Sequence, residues 1–333
     1  MKLFHSLESG LSELRLGAIT IGNFDGVHHG HARILRELRR QADRVRGPAV
    51  VFTFSPHPVQ ILRPQQTPPP LTWPERKSVL LAELGVDAMI AYPTDRQLLE
   101  LSPKMFFQTI VHGELAAQAL VEGPNFYFGK GRSGNIDTLQ RLCQKAEINL
   151  HIVEPLLAPD GVVSSSRLRQ LIQTGDVQRA QQLMTQPYRI RGTVVPGERR
   201  GATIGFPTAN LDRVSTLCPA PGVYAGRTFI NQSTWDTAIH IGDNPTFQED
   251  EVKIECHLLD FSESLYGQSL EVEFLRRLRD VVPFNSVNEL QGQLHRDVAN
   301  TRNVCREFTA SSQAPQTKTS AANPCGQPGR NYE

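Results

Sequence analysis

The sequence predicts two domains of different class: an α/β domain on a doubly wound parallel sheet, then an antiparallel β-barrel. Three observations carry this. Up to about residue 184, short apolar runs alternate with helically spaced apolar residues, the signature of βα units. Gln186-Pro187 breaks that rhythm, and beyond it five apolar stretches recur at hairpin spacing. A stretch rich in glycine and histidine, Gly22 to His31, falls between an apolar run and a helical pattern, as the strand-to-helix turn of an α/β sheet does. The expected division is 1–185, 186–309 and a tail over 310–333.

Residues 17–21 form an apolar run broken only by Thr20, with the look of a buried parallel strand. The helix after them places Ala32, Leu35, Leu38 and Ala42 on one face and Arg33, Arg36, Glu37 and Arg40 on the other. Residues 49–54 read as a second strand, 75–84 as a helix, and 85–90 as a turn into a third strand. The proline-rich run 64–70 reads as an extended surface loop. Strands are expected at 117–121 and 150–153 with a helix over 138–146 between them, then a short helix ending at Met184. In the second half, strands are expected at 189–195, 223–230, 237–241, 252–259 and 270–275. Turns fall at Pro196-Gly197, Asn231-Gln232-Ser233 and Tyr266-Gly267-Gln268. Val287, Leu290, Leu294 and Val298 mark a closing helix over 286–302. After Phe308 the chain turns to Ser, Gln, Pro, Thr, Ala and Gly, a composition that predicts disorder.

With 35 Lys plus Arg against 34 Asp plus Glu, no bulk charge favours nucleic acid or an anionic membrane. No apolar run approaches the ~20 residues of a membrane span, and Ser6 and Glu8 come too early for a signal peptide. The five cysteines are odd in number and form no C-x-x-C, which predicts reduced thiols in a cytoplasmic protein. The expected partners are small molecules, with the chain a monomer or weak homo-oligomer.

Gly22, Gly26 and Gly30 permit tight backbone angles and close approach of a ligand. His28 and His31, three apart, share a helix face at the positive end of the helix dipole. There two imidazoles and free N–H groups can hold a polyphosphate, so positioning and electrostatics suffice for transfer chemistry. A metal site on His28, His29 and His31 is the rival reading, but no further ligand cluster lies in this half. Gly22-Asn23-Phe24-Asp25-Gly26-Val27-His28-His29-Gly30-His31 resembles the HxGH signature of the nucleotidyltransferase superfamily. In its ten-residue form it is similar to the FMN adenylyltransferase module of bacterial bifunctional riboflavin kinase/FAD synthetases. The resemblance implies a Rossmann-like nucleotidyltransferase domain in which Gly22, Phe24, Asp25, Gly26 and Gly30 line the nucleotide.

Three more stretches follow strands. Thr53-Phe54-Ser55-Pro56-His57-Pro58 either ends a strand with prolines or, as the resemblance implies, borders the flavin with Phe54 and His57. Gly123 to Arg132 is not a Walker A loop, because Gly131 follows Lys130 where Ser or Thr should meet Mg²⁺. It is similar to the family's G-x-[DN]-F-x-F-G, which implies that Asn125 bonds substrate and that Phe126 lies near the isoalloxazine. Ser164, Ser165 and Ser166 read as a helix N-cap. They also resemble the superfamily's second phosphate clamp, which implies that Ser164, Ser165 and Arg169 contact the triphosphate.

In the second half, Gly197, Gly201 and Gly205 can turn N–H groups toward phosphates. Thr208 and Asn210, two apart, offer hard oxygens to Mg²⁺ on one side of an extended segment. The rival reading is a glycine-rich β-turn. The string Gly197 to Asn210 resembles the flavokinase G-x-x-R-G-x-x-[IL]-G-F-P-T-A-N pattern. Pro221-Gly222-Val223-Tyr224, Asn244-Pro245-Thr246, Glu255-Cys256-His257 and Leu278-Arg279 follow in family order. Ala202 departs from the arginine of many relatives, which would leave a phosphate contact to Arg199 or Arg200. The resemblance, over about residues 15–305, implies that Glu255 is the general base and that Arg279 lies near flavin or nucleotide. Together the two halves imply phosphorylation of riboflavin to FMN and adenylylation of FMN to FAD, with MgATP as co-substrate in both. The competing readings are an enzyme with one decayed activity, a flavin-binding protein without turnover, and another superfamily nucleotidyltransferase.

Overall fold

A computed structural model of the chain describes residues 1–7, 11–198, 200–243 and 252–313. Strand β1 (Lys2–Phe4) and the one-turn helix α1 (Leu11–Leu14) precede β2 (Ala18–Ile21). Then come α2 (His29–Val45), β3 (Ala49–Ser55), α3 (Pro58–Leu62), α4 (Pro74–Glu83) and β4 (Ala88–Pro93). Two short helices, α5 (Arg96–Glu100) and α6 (Pro103–Phe106), lead through a π-helical segment to β5 (Ala119–Glu122). Helix α7 (Ile136–Lys145) and β6 (Asn149–Ile152) complete a six-stranded sheet in which every pairing is parallel.

Its order is β1-β4-β3-β2-β5-β6. The chain therefore winds one way from β2 and the other way from β5, and the crevice between those strands is the topological switch point where such sheets bind ligands. Alternate strand residues face opposite layers: Ile19, Ile21, Val50 and Phe52 meet Phe106, Ile110 and Leu139, while Ala18, Ala49, Val51 and Val121 meet Leu35, Leu38 and Leu81. The expectation of a doubly wound sheet holds. β1 was not foreseen; it is three residues long and adds the sheet's edge beside β4. The proline-rich run is exposed, as expected, with one 3₁₀ turn at Pro64–Gln66.

A small hairpin, β7 (Leu157–Ala158) and β8 (Gly161–Val162), precedes α8 (Ser165–Gln173) and α9 (Val177–Leu183). The chain then enters β9 (Arg189–Val195), the single turn α10 (Arg200–Thr203), β10 (Ala209–Asp212), β11 (Gly222–Ile230), β12 (Ser233–Asp243), β13 (Val252–Leu258) and β14 (Ser269–Arg279). These strands close a barrel in the order β10-β13-β12-β11-β14-β9. The expected strands are present, with one addition: β10 was read only as a segment that could be extended. It is the staple that closes the ring between β9 and β13. Helix α11 (Val287–Gln313) lies against the barrel wall through Val304 and Cys305. It overruns the expected start of a disordered tail at 310; the rest of that tail, with Arg199 and Asn244-Pro245-Thr246, lies outside the described residues.

One apolar core crosses the seam. Leu71, Leu168, Ile172, Val177, Ala180 and Leu183 from the first half pack with Tyr188, Ile190, Tyr224 and Phe274 from the barrel. Leu217 N–H donates to Pro70 O, and Tyr188 OH donates to Leu217 O. Leu71→Ala should cost about 2–5 kcal/mol, since it opens a cavity at a fully buried position in a shared core. Denaturant unfolding checks this, and a midpoint equal to that of the parent chain would show that the seam is not a continuous core.

Candidate active sites

The first site is the turn from β2 into α2. Phe24 and Val27 have positive φ (46° and 32°), a strained state for side-chain-bearing residues, held here by near-complete burial. Gly26, at φ 78°, has no room for more: an added Cβ would lie 2.8 Å from Leu71 Cδ1. That glycine makes space for the packing of Leu71, and its N–H donates to Thr72 Oγ1 at 3.3 Å. Gly30 leaves space for the His28 ring, whose Nδ1 would be 3.0 Å from a Cβ there.

His28 is the N-cap of α2, with Nδ1 accepting from His31 N–H at 3.1 Å. That bond places the ring proton of neutral His28 on Nε2, leaving an N–H donor free of the cap. The two imidazoles stack, with centroids 3.6 Å apart and planes at 15°. Burial, with the neighbouring His29 adding to it, pushes His28 down from 6.5 to about 4. Burial, then His28 and Lys77, holds His31 well below the ordinary value. Both rings are therefore neutral near pH 7. Among the described residues, His31 Nδ1 is buried without a hydrogen-bond partner.

Asp25 occupies the base of the turn, 3 % exposed. Its carboxylate accepts from Leu71 N–H, Thr72 N–H and Thr72 Oγ1, and pairs with Arg169 at 2.5 Å. Arg169 also donates to Pro69 O. Ser165 Oγ donates to Asp25 O, and Ser164 Oγ caps α8 by accepting from Arg167 N–H. The structure thus brings the stretch bearing His28 and His31 against the one bearing Ser164, Ser165 and Arg169, joined through Asp25 of the first stretch. Thr185 donates to Val27 O from the seam, and His28 bridges to Met184.

His57 caps α3 and lies within the electrostatic reach of Lys77, Asp25 and Arg169, so the end of β3 adjoins the same turn. Phe54 sits edge-on to Phe52, and Phe126 stacks on Phe128 with centroids 5.4 Å apart. Asn125 is exposed on the loop after β5, across the switch point from β2. Two residues were missed. Glu122, fully within the sheet, accepts from Ile21 N–H at 2.7 Å, and burial raises its pKa well above the usual range. Lys77 reaches from α4 to donate to Asn23 O at 2.8 Å.

The second site lies on the outer wall of the barrel beneath α11. A cavity of about 500 Å³ is bounded by Gly201, Ile204, Phe206 and Thr208, by Glu255 and Arg279, and by Val287, Leu290, Leu294 and Val298. The helical stripe read as a closing helix therefore faces open space with its apolar side. Val281, Val282 and Phe284 extend that lining. A second cavity, about 240 Å³, meets the first at Thr208 and runs to Leu258, Phe261 and Tyr266.

Inside the barrel face Ile254, Cys256 and Leu258; their alternates Lys253, Glu255 and His257 face out. Asn210 lies opposite Glu255 in register, so Thr208, Asn210 and Glu255 share one outer surface. Glu255 Oε2 is 3.3 Å from His240 Nδ1 and Oε1 is 3.1 Å from Lys253 Nζ. The His240 bond, with Lys253 adding to it, lowers the Glu255 pKa and keeps the carboxylate ionised. An added Cβ on Gly197 would lie 2.1 Å from Asn210 Nδ2, so this glycine makes room for the amide. Of the three glycines expected to turn N–H groups outward, Gly205 donates its N–H to Ala202 O, while Ile204 N–H and Phe206 N–H donate to Gly201 O. Gly205, at φ 90°, makes the turn that permits this. Arg279 is held by Asp297 of α11, with contacts of 3.1, 3.1 and 2.7 Å, a partner that sequence reading missed.

His28 is depressed in the folded chain, so below 6.5 the unfolded chain binds more protons. Stability from the neutral ring should be whole above that value and be lost as pH falls to about 4, by roughly 3 kcal/mol. His28→Asn, which keeps a capping acceptor, should flatten this part of the pH profile of thermal unfolding. Parallel curves would show that His28 titrates normally. Asp25→Asn should cost roughly 3–5 kcal/mol, because it strands the Arg169 cation; an unchanged melting temperature would exclude the Asp25–Arg169 pair as a structural element.

The FAD synthetase family model matches residues 12–167, and the riboflavin kinase family model matches residues 184–305. The chain is 35% identical over 285 residues to the bifunctional riboflavin kinase/FMN adenylyltransferase of Bacillus subtilis, covering 84% of this chain and 89% of that one. The protein of the same description from Haemophilus influenzae is 33% identical over 299 residues, covering 90% and 97%. That from Escherichia coli is 31% identical over 304 residues, covering 91% and 97%. A crystal structure described as a macrolide-efflux protein from Streptococcus pneumoniae superposes with a TM-score of 0.82 at 31% identity, over 90% of this chain and 98% of that one. Among the described residues, no helix is long and apolar enough to cross a membrane. Two family models over consecutive halves, each on the matching architecture, establish that the chain belongs to the bifunctional riboflavin kinase/FMN adenylyltransferase family.

Proposed function

We propose that the barrel converts riboflavin and MgATP to FMN, and that the α/β domain, ending near residue 185, converts FMN and ATP to FAD and pyrophosphate. The observation that carries this is the pairing of two unlike sites on one chain. One is a histidine-bearing turn at a sheet switch point; the other is an apolar cavity with an ionised carboxylate on its wall.

In the barrel, the apolar face of α11 suits the isoalloxazine, and the smaller cavity beyond Thr208 suits ATP. Glu255 takes the proton of the ribityl terminal hydroxyl as that oxygen attacks the γ-phosphorus and ADP departs. His240 and Lys253 hold its two oxygens, which keeps it a base at neutral pH. Arg279, anchored by Asp297, faces the flavin end. Thr208 and Asn210 are hard oxygen donors on one face, with the amide seated against Gly197, and these would hold Mg²⁺. Bound there, Mg²⁺ offsets charge on the ATP phosphates.

In the first domain, an FMN phosphate oxygen attacks the α-phosphorus of ATP in line, and the bond to pyrophosphate breaks. Neutral His28 and His31 donate to the phosphates, while Ser164, Ser165 and Arg169 close the opposite side. Gly22, Phe24, Asp25, Gly26 and Gly30 shape the turn. Asn125, Phe54, His57 and Phe126 border the flavin. The described cysteines Cys143, Cys218, Cys256 and Cys305 are all free thiols, which supports a reducing, cytoplasmic setting. The balanced charge supports a small-molecule enzyme without a nucleic-acid partner, as monomer or weak homo-oligomer.

Chromatography of products from riboflavin and from FMN, each with ATP, tests the assignment. His28→Ala/His31→Ala should lower FAD formation by about 10²-fold or more and spare FMN formation. Thr208→Ala or Asn210→Ala should do the reverse, still converting supplied FMN. Joint loss of both activities in either variant would contradict separate sites.

A further inference from the structure

We propose that Lys77 is a catalytic residue of the adenylyl-transfer site, its ammonium lying between the FMN phosphate and the α-phosphate of ATP. This rests on the reading of the first domain as the FMN adenylyltransferase.

Lys77 is on α4, remote in sequence from every motif of the site. Its Nζ donates to Asn23 O inside the β2–α2 turn, at 2.8 Å. Among the described residues this carbonyl is its one hydrogen-bond acceptor, though an ammonium carries three donors. No carboxylate lies within ion-pair distance of it among the described residues. Asp25, close enough to act on it, is already taken by Arg169. Burial lowers the Lys77 pKa, with Asp25 opposing that and Arg169 adding to it. A half-buried cation without a paired anion is costly unless a ligand supplies the charge.

Its surroundings show where that ligand lies. Lys77 acts electrostatically on His31, on the nucleotide side, and on His57, at the end of β3 on the flavin side. His31 Nδ1, nearby, is buried and unpartnered among the described residues. The reaction must bring an FMN phosphate against a triphosphate, two anions that repel. A cation between them opposes that repulsion, and more so as attacking and leaving oxygens share charge in the transition state. The start of α4 is clasped from the barrel side, since Arg191 pairs with Glu75 at 3.2 Å and lies 5.0 Å from the Trp73 ring centroid. The lysine is thus presented from a fixed helix rather than from a loop.

The test uses the full chain and the variants Lys77→Met and Lys77→Arg. The expected result for Lys77→Met is a fall of about 100-fold in kcat/KM for FAD formation from FMN and ATP. Riboflavin phosphorylation should be unchanged, and the melting temperature of the ligand-free chain equal or higher, because an unpaired buried cation has been removed. Lys77→Arg, which keeps the charge, should retain more activity than Lys77→Met. FAD formation by Lys77→Met within about threefold of the parent overturns the proposal. So does a lowered melting temperature with loss of both activities, which would make Lys77 a structural prop for Asn23. If the parent chain itself makes FMN but no FAD, the reading of the first domain fails, and the proposal with it.

Discussion

A single buried carboxylate organises the first site and its junction with the second domain. Asp25 takes two backbone N–H groups and a hydroxyl from Leu71 and Thr72 and the guanidinium of Arg169. It thereby joins the β2–α2 turn, the segment before α4, and α8. A carboxylate this buried is tolerable because it is saturated with donors. The strained backbone at Phe24 and Val27 persists because the same bracket pins the chain on both sides. Leu71, drawn in by that bracket, enters the core shared with the barrel, so the geometry of the histidines and the seating of the two domains have one origin.

The two sites handle charge in opposite ways. The first presents cations and neutral donors, and its Asp25 carboxylate is internally consumed, as suits a site where phosphates meet. Its imidazoles are uncharged because they are buried, so they act as oriented donors rather than as acids. The barrel site presents an ionised carboxylate with both oxygens held by His240 and Lys253, beside an apolar wall. Abstraction of a hydroxyl proton needs that carboxylate charged, and the hydrogen bond from His240 with the Lys253 ammonium keeps it so.

Much of this was legible in residue order. The strand runs near 18–21, 49–55 and 88–93 and the barrel strands at 189–195 and 252–258 follow from continuous or alternating apolar residues, which are local signals. Strand β10 was not, because four residues are too short a run for their alternation to signal a strand; pairing with β9 and β13 makes it one. The stripe Val287, Leu290, Leu294 and Val298 showed a helix but not its purpose. Periodicity is the same whether an apolar face meets protein or a cavity. Gly26 and Gly205 were legible as turn glycines, but that Leu71 packs against Gly26 and that Gly205 N–H bonds Ala202 O were not.

By itself the sequence determined the two fold classes, their order, and the local motifs whose residues lie within a turn of one another, since period and turn chemistry act over a few residues. Only the tertiary structure decided which distant groups meet: Asn210 opposite Glu255, Arg279 on Asp297, Arg169 on Asp25, and Lys77 against the Asn23 carbonyl. Those meetings depend on strand register and helix docking, which come from the packing of whole layers. No short stretch of side chains encodes them.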